Sequence, residues 1–422
     1  MLFLNYLSNV LQRQENKMAK EKYSVDKSDI QVNQNKIKVL QLIRNEKEIT
    51  RAEIIRLSGL SAPTVTRIVE NLVQLKLIQT DGIGSSVGGR PPQLIRFQSK
   101  ENYVIGIDLG ATYIRSALSN LDGEFIFEIH VSTNLKKGFD GVMEQVGELI
   151  EKLSERARQK SLTLWGIGIA VCGMVNKKSG IVEYSPIFGW KNVNLQEALA
   201  KYTNLKIALG NVTHLIALGE LLYGVGKDYK NFISINLGYG IGSGIIIDGK
   251  LFGGVDGIAG EIGHIVVDKH SNRQGLEGIT GTLEAVASGY GLADIARERA
   301  GSDPESILYP INREDIDAKK VFDAAKNGDR LANEIIDEVA GFLSIGIDTL
   351  IKLFNTECIV LSGGLVQNGD VLTEKIRTEV KNYSMSAISR SVPIVTSGFG
   401  ENAALMGSFS LILERILLME SL

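Results

Sequence analysis

Cysteine is almost absent from this chain of 422 residues: Cys172 and Cys358 are the two, far apart in apolar segments that read as strands. Two cysteines supply neither a disulfide framework nor a cysteine-based metal site, and both read as buried thiols. Proline is scarce, with 7 residues. No window approaches the ~20 consecutive apolar residues of a membrane span. The start, Met1-Leu2-Phe3-Leu4-Asn5-Tyr6-Leu7, lacks a basic flank and reaches Gln12-Arg13-Gln14-Glu15 without a cleavage-site pattern, so it does not have the form of a secretory signal. These absences predict a cytoplasmic protein.

What is present is the makings of more than one core. The chain is longer than the roughly 250–300 residues at which a single core stops growing, so two or three domains are expected. Its 44% of hydrophobic residues suits a globular protein. The net charge of −3 conceals a split: residues 1–100 hold 16 Lys and Arg against 9 Asp and Glu, and residues 101–422 hold 30 against 40. A basic head precedes an acidic body.

Residues 1–32 are mostly polar and read as a mobile arm, with a helix from Asn33 carrying Ile37, Leu40 and Ile43 on one face. Glu46-Lys47-Glu48 reads as a turn, and Thr50 caps a short helix, Arg51 to Leu57. Ser58-Gly59-Leu60-Ser61 then makes a tight turn into a third helix, Ala62 to Leu75, with Ser61 as cap and Pro63 in its first turn. That helix buries Val65, Ile68, Val69 and Leu72 and turns Ser61, Thr64, Thr66 and Arg67 outward, as a recognition helix does toward base edges. Leu77 to Gln79 and Leu94 to Phe97 form a β-ribbon, the wing, whose tip holds Arg90 beside two prolines. An arginine so held suits a narrow minor groove. Residues 33–98 thus read as a winged helix-turn-helix that binds DNA; the plainer alternative is a three-helix interaction module.

From Tyr103 a strand ends in Asp108, Gly110 and Thr112 and returns through Ile114 to Leu118. A second strand, Gly-rich turn and strand follows at Ile233 to Ile247, with Gly238, Gly240 and Gly242 at its tip. Glycine lets backbone approach a phosphate, and Thr112 and nearby amides can donate to its oxygens. Two such hairpins imply two related lobes facing a cleft. The glycines serve hairpin geometry as readily as a phosphate, and both readings stand.

With Ala259-Gly260-Glu261-Ile262-Gly263-His264 and, twenty residues on, Leu283-Glu284-Ala285-Val286-Ala287-Ser288-Gly289, the chain resembles the ROK family of repressors, open reading frames and kinases over nearly all of Asn33 to Glu414. The resemblance implies an α/β fold: an actin-like ATPase or sugar-kinase body of two lobes, residues 99–422, preceded by an all-α plus β-wing winged helix-turn-helix domain. It implies sugar contacts from Asn211, Glu261, His264 and Glu284, with Gly173 offering backbone. Carboxylates accept paired hydrogen bonds from vicinal hydroxyls, and an imidazole donates or accepts. The last helix, from Glu401, is expected to pack back on the first lobe.

Three departures from the resembled kinases bear on activity. Val212 stands where they place the catalytic Asp, and valine accepts no proton; losing a positioned general base typically forfeits about 10²–10⁴ in rate. His214 is the one neighbour that could replace it. The family's zinc loop keeps its glycines here but has Gly275, Glu277 and Thr282 at its thiolate positions, too few donors for a four-ligand site, so no metal is expected. Tyr239 stands where the kinases usually have Thr, crowding a nucleotide and leaving Asp108, Gly110, Thr112, Gly238, Gly240 and Gly242 as vestigial phosphate loops.

The expectation is a sugar-responsive repressor of carbohydrate-metabolism genes, with operator DNA and a small carbohydrate as partners, a homodimer or dimer of dimers, no bound cofactor and no catalytic residue. The rivals are an active sugar kinase that also binds DNA, an activator, and a repressor answering to a protein partner.

Overall fold

The computed structural model describes residues 27–80, 93–176, 179–255, 257–367, 370–385 and 391–417. The head starts with α1 (Lys27–Glu46), β1 (Glu48–Thr50), α2 (Arg51–Ser58) and α3 (Ala62–Gln74), and ends with β2 (Ile78–Gln79) and β3 (Leu94–Phe97). Residues 1–26 of the expected arm lie outside the described residues, as does Arg90. Lys27 to Val32 lie within the helix α1. The expected turn at Glu48 is also a strand. β1 pairs with β3, Ile49 opposite Ile95 and both buried, which gives the wing a third strand.

Local chemistry sets the helix ends. Thr50 and Glu53 form a reciprocal capping box at α2, and Gly59 ends it in the left-handed conformation at φ 69°. Ser61 caps α3, whose Val65, Ile68, Val69 and Leu72 are buried against Leu40, Ile43 and Ile54.

The body holds two sheets of five strands with the same connectivity. In the first, β4 (Asn102–Leu109), β5 (Tyr113–Asn120) and β6 (Phe125–Ser132) run antiparallel, and β7 (Thr163–Val171) and β11 (Ile207–Asn211) add parallel strands on the other side of β4. Between β7 and β11 a small sheet forms from β8 (Met174–Asn176), β9 (Ile181–Ser185) and β10 (Trp190–Asn194). In the second large sheet β12 (Phe232–Leu237), β13 (Ile241–Ile247) and β14 (Lys250–Phe252) are antiparallel, and β15 (Cys358–Ser362) and β16 (Ile394–Thr396) extend it in parallel from β12. The near-continuous burial of β4, β7, β12 and β15 follows from helices on both faces.

Among those helices are α4 (Gly138–Gln159), on the first sheet, and α5 (Leu195–Leu199), which packs on α4. The second lobe carries α7 (Leu283–Ala287), α8 (Gly289–Ala300), α9 (Ala318–Lys326), the long α10 (Arg330–Phe354), α11 (Gly364–Gln367) and α12 (Asp370–Tyr383). Two helices lie between the lobes: α6 (Val212–Leu222) against β12 and β13, and α13 (Ala403–Leu417) against β4, β7 and α6. The last helix thus packs back on the first lobe, seated where glycines leave the sheet open. A Cβ on Gly168 would lie 2.0 Å from the Ser408 carbonyl oxygen. Cys358 is buried in β15, whereas Cys172, just past β7, is only partly buried and faces the cleft.

Candidate functional site

On the head, α3 turns Thr66 and Arg67 to solvent at the start of an otherwise packed helix. Ser61 and Thr64 are engaged with each other, hydroxyl to hydroxyl at 2.8 Å, and Ser61 also accepts from the Thr64 amide. Ser61 therefore holds the start of the helix in place.

In the body, a cavity of about 810 Å³ lies between the lobes. It is lined by Gly173, Asn211, Glu261, His264 and Glu284, and by Asp108, Gly110, Thr112, Gly238, Gly240 and Gly242. These residues, singled out from the sequence, come to one space from the ends of β4, β7, β11 and β12, from β13, from the loop after β14 and from the helix that begins at Leu283. Val212 lines it too, between Asn211 and Thr213, as the first residue of α6.

Asn211 caps α6: its carbonyl oxygen accepts from the Thr213 and His214 amides, and its amide nitrogen donates to the Gly173 carbonyl at 2.9 Å. Gly173 sits at φ 121°, and a Cβ there would meet the Tyr184 carbonyl oxygen at 2.3 Å. No other residue fits. His214 does not line the cavity. It is 3% exposed, and its Nε2 is 2.8 Å from the Ala259 carbonyl oxygen, an acceptor, so that nitrogen carries the proton.

His264 stands between two carboxylates, Nδ1 at 3.4 Å from Glu261 and Nε2 at 3.5 Å from Glu277. The Glu261 carboxylate, then Glu277, raises its pKa above the ordinary imidazole value against the opposing effect of burial. Glu284 is buried and accepts from the Ile241 amide at 3.0 Å; burial raises its pKa. The Cys172 thiol is pushed up to about 12 by burial and by Glu284, Glu261 and Asp108.

The residues at the family's zinc positions do not fit that ion. Gly275 brings no side chain, Glu277 pairs with His264, and the Thr282 hydroxyl caps α7 by accepting from the Ala285 amide. Backbone pairing holds the loop, with Gln274 bridged to Thr280 and Val266 to Thr282. Two of the turn glycines have packing reasons: a Cβ on Gly240 would press on Glu284 at 2.4 Å, and one on Gly242 on Thr213 at 2.6 Å. The ring of Tyr239 lies against Tyr290, centroids 5.5 Å apart, within the cavity lining. Ile187 lines the cavity from a turn anchored by Phe188 stacked on Trp190 at 4.3 Å.

Sequence reasoning passed over Glu401 and Tyr184, both in the lining. Glu401 pairs with Arg115 at 3.0 Å. Neither residue lies in a repeated motif, so no local signal marked it.

The ROK family pattern matches residues 104–415, and a winged helix-turn-helix DNA-binding pattern matches residues 32–79. A xylose repressor of Caldicellulosiruptor bescii is 32% identical over 91% of this chain and 96% of its own length. A glucokinase of Thermotoga maritima is 34% identical, over 74% of this chain and 98% of its own. A crystal structure of a ROK family transcriptional regulator, described as a homolog of the E. coli MLC protein, superposes with a TM-score of 0.80 at 28% identity, covering 92% of this chain and 98% of that one. No described helix is long and apolar enough to cross a membrane. The chain belongs to the ROK family and carries a winged helix-turn-helix DNA-binding domain ahead of the family's body.

Proposed function

We propose that this chain is a transcriptional repressor of carbohydrate-metabolism genes, whose head binds operator DNA and whose cleft binds a small carbohydrate without phosphorylating it. Similarity to the xylose repressor extends over head and body together, whereas the glucokinase matches the body alone. The observation that carries the loss of activity is Val212 at the cleft end of α6, with His214 committed to a backbone carbonyl. Transfer from ATP needs a group to take the hydroxyl proton, and neither residue supplies it.

In this reading Asn211, Glu261, His264 and Glu284 meet the sugar hydroxyls, and Gly173 offers backbone. Thr66 and Arg67 face the bases with Ser61 and Thr64 at the helix start, and Arg90 enters the minor groove. Residues 33–98 act as the DNA head and residues 99–422 as the effector body, in a cytoplasmic homodimer whose paired heads read half-sites about one helical turn apart. D-xylose is the first sugar to test, given the repressor relative.

The kinase reading has one observation in its favour: the cavity continues past the sugar residues to Asp108 and the glycines of both hairpins. Two assays separate the readings. Operator-bound protein titrated with D-xylose, D-glucose and N-acetyl-D-glucosamine should release DNA with one of them. A coupled assay with ATP and the same sugars should stay silent. Sugar phosphate formed at an ordinary turnover, about 10 s⁻¹, would overturn the proposal.

A further inference from the structure

Two helices leave the cleft, and both reach the base of the DNA head. α6 begins in the cavity lining at Val212 and Thr213 and runs to Tyr223, whose hydroxyl donates to the Leu121 carbonyl at 3.2 Å. α13 begins there at Ala403 and Ala404 and crosses the first sheet to Ile412, over Gly166. The helices meet at Gly219 and Gly407. A Cβ on Gly407 would lie 2.3 Å from the Leu215 carbonyl oxygen, so backbone rests on backbone. With no side chain to yield between them, displacement of one helix is passed to the other.

Both paths converge on the connector between head and body. The Leu121 amide donates to the Ser99 and Asn102 carbonyls at 3.1 and 3.2 Å. Asn102 is 1% exposed and engaged at both ends of its side chain. Its amide nitrogen donates to the Lys76 carbonyl at 2.9 Å and to the Gln98 carbonyl at 2.6 Å, and its oxygen accepts from the Trp165 indole at 2.6 Å. Lys76, at φ 57°, makes the turn that ends α3, its amide donating to the Val73 carbonyl. One buried amide thus ties the end of the recognition helix to β7, one residue from the glycine under Ile412. A single hydrophobic cluster spans Leu40, Ile43 and Ile78 of the head and Phe409, Ile412 and Ile416 of α13, so the joint is packed throughout.

We infer that Asn102 and Trp165 are positioning residues that carry occupancy of the cleft to the recognition helix. This rests on the ligand-responsive reading above. Closure of the lobes on a ligand displaces α6, the glycine crossing passes that displacement to α13, and their far ends move the Leu121 and Trp165 contacts. Asn102 cannot leave its partners without stranding buried polar groups, so the displacement passes to Lys76 and reorients α3.

The test uses the full chain and two conservative variants. Trp165→Phe removes the indole donor and keeps an aromatic ring; Asn102→Asp removes the donors to Lys76 and Gln98 and keeps the size. Sugar binding is read by calorimetry and operator affinity with and without saturating D-xylose, D-glucose or N-acetyl-D-glucosamine. Wild type should lose operator affinity by about 5–150-fold with its sugar, the usual range for coupled sites. In both variants the sugar should bind as in wild type while that factor falls toward one. Trp165→Phe with normal folding, normal sugar binding and an undiminished factor overturns the joint alone, even if Asn102→Asp fails to fold. Wild type that no sugar releases overturns the ligand-responsive reading, and the joint with it.

Discussion

Arg115 in β5 and Glu401, 286 residues later at the start of the segment leading into α13, form an ion pair at 3.0 Å. Glu401 is largely exposed, so the pair itself contributes no more than about 1 kcal/mol. Its consequence lies on the other side of the guanidinium, which is 3.5 Å from the buried carboxylate of Asp108. One arginine thus joins a hairpin of the first lobe to the segment leading into α13.

Burial raises the Asp108 pKa from 3.8 to about 6, although Arg115 pulls the other way. A carboxyl raised on folding contributes stability that is present below its unfolded value and lost as pH rises through about 6. Asp108→Asn cannot ionise, so its melting temperature should lose this pH dependence, and its advantage over wild type should grow between pH 4 and pH 7 by up to about 3 kcal/mol. Parallel melting curves for the two proteins across that range would refute the assignment.

For His264 the sign concerns a cation. Its folded pKa is raised by Glu261 first and Glu277 second, so the stabilisation is complete below the unfolded value near 6.5 and lost as pH rises through the higher folded value. Glu261→Gln should lower the imidazole pKa seen by NMR titration more than Glu277→Gln does. The reverse order would mean that Glu277 is the dominant partner.

Gly173 and Gly189 both have positive φ, at 121° and 66°, but only Gly173 is walled in by backbone. A Cβ on Gly189 meets nothing within 4 Å. Gly189→Ala should cost about 1–2 kcal/mol, the left-handed penalty alone. Gly173→Ala should cost more and weaken sugar binding, since it pushes on the Tyr184 carbonyl and moves the Gly173 carbonyl to which Asn211 donates. Chemical unfolding with sugar calorimetry measures both, and equal costs would show that the Gly173 turn relaxes freely.

Arg67 is exposed on the outer face of α3. If it reads a base edge, Arg67→Ala weakens binding to an operator selected from random DNA by ~1–3 kcal/mol and relaxes the preference at one position. Fluorescence anisotropy on operator and scrambled duplexes checks this. Unchanged discrimination would leave Arg67 with no part in base reading.

Much of the head was legible because its signals are local. The apolar stripe of α3, the Thr50 and Ser61 caps and Gly59 act within a turn or two, and all appear where the spacing placed them. β1 was not legible: three residues form a strand only because β3, over forty residues later, offers Arg96, Ile95 and Leu94 to pair with. In the body the paired glycine hairpins announced two lobes, and each lobe proved to have the same strand connectivity. The partner of His214 was not legible either: its Nε2 meets a carbonyl 45 residues away.

Side-chain chemistry is what the sequence determined unaided: a valine cannot accept a proton, glycine and threonine cannot replace thiolates, and a basic head precedes an acidic body. Tertiary structure alone decided which groups meet. Asn102 lies 26 residues from Lys76 and 63 from Trp165, Arg115 lies 286 from Glu401, and α6 crosses α13 on two glycines of different segments. Such contacts are set by how helices seat on twisted sheets to fill a common core, a condition on the whole chain that no local spacing encodes.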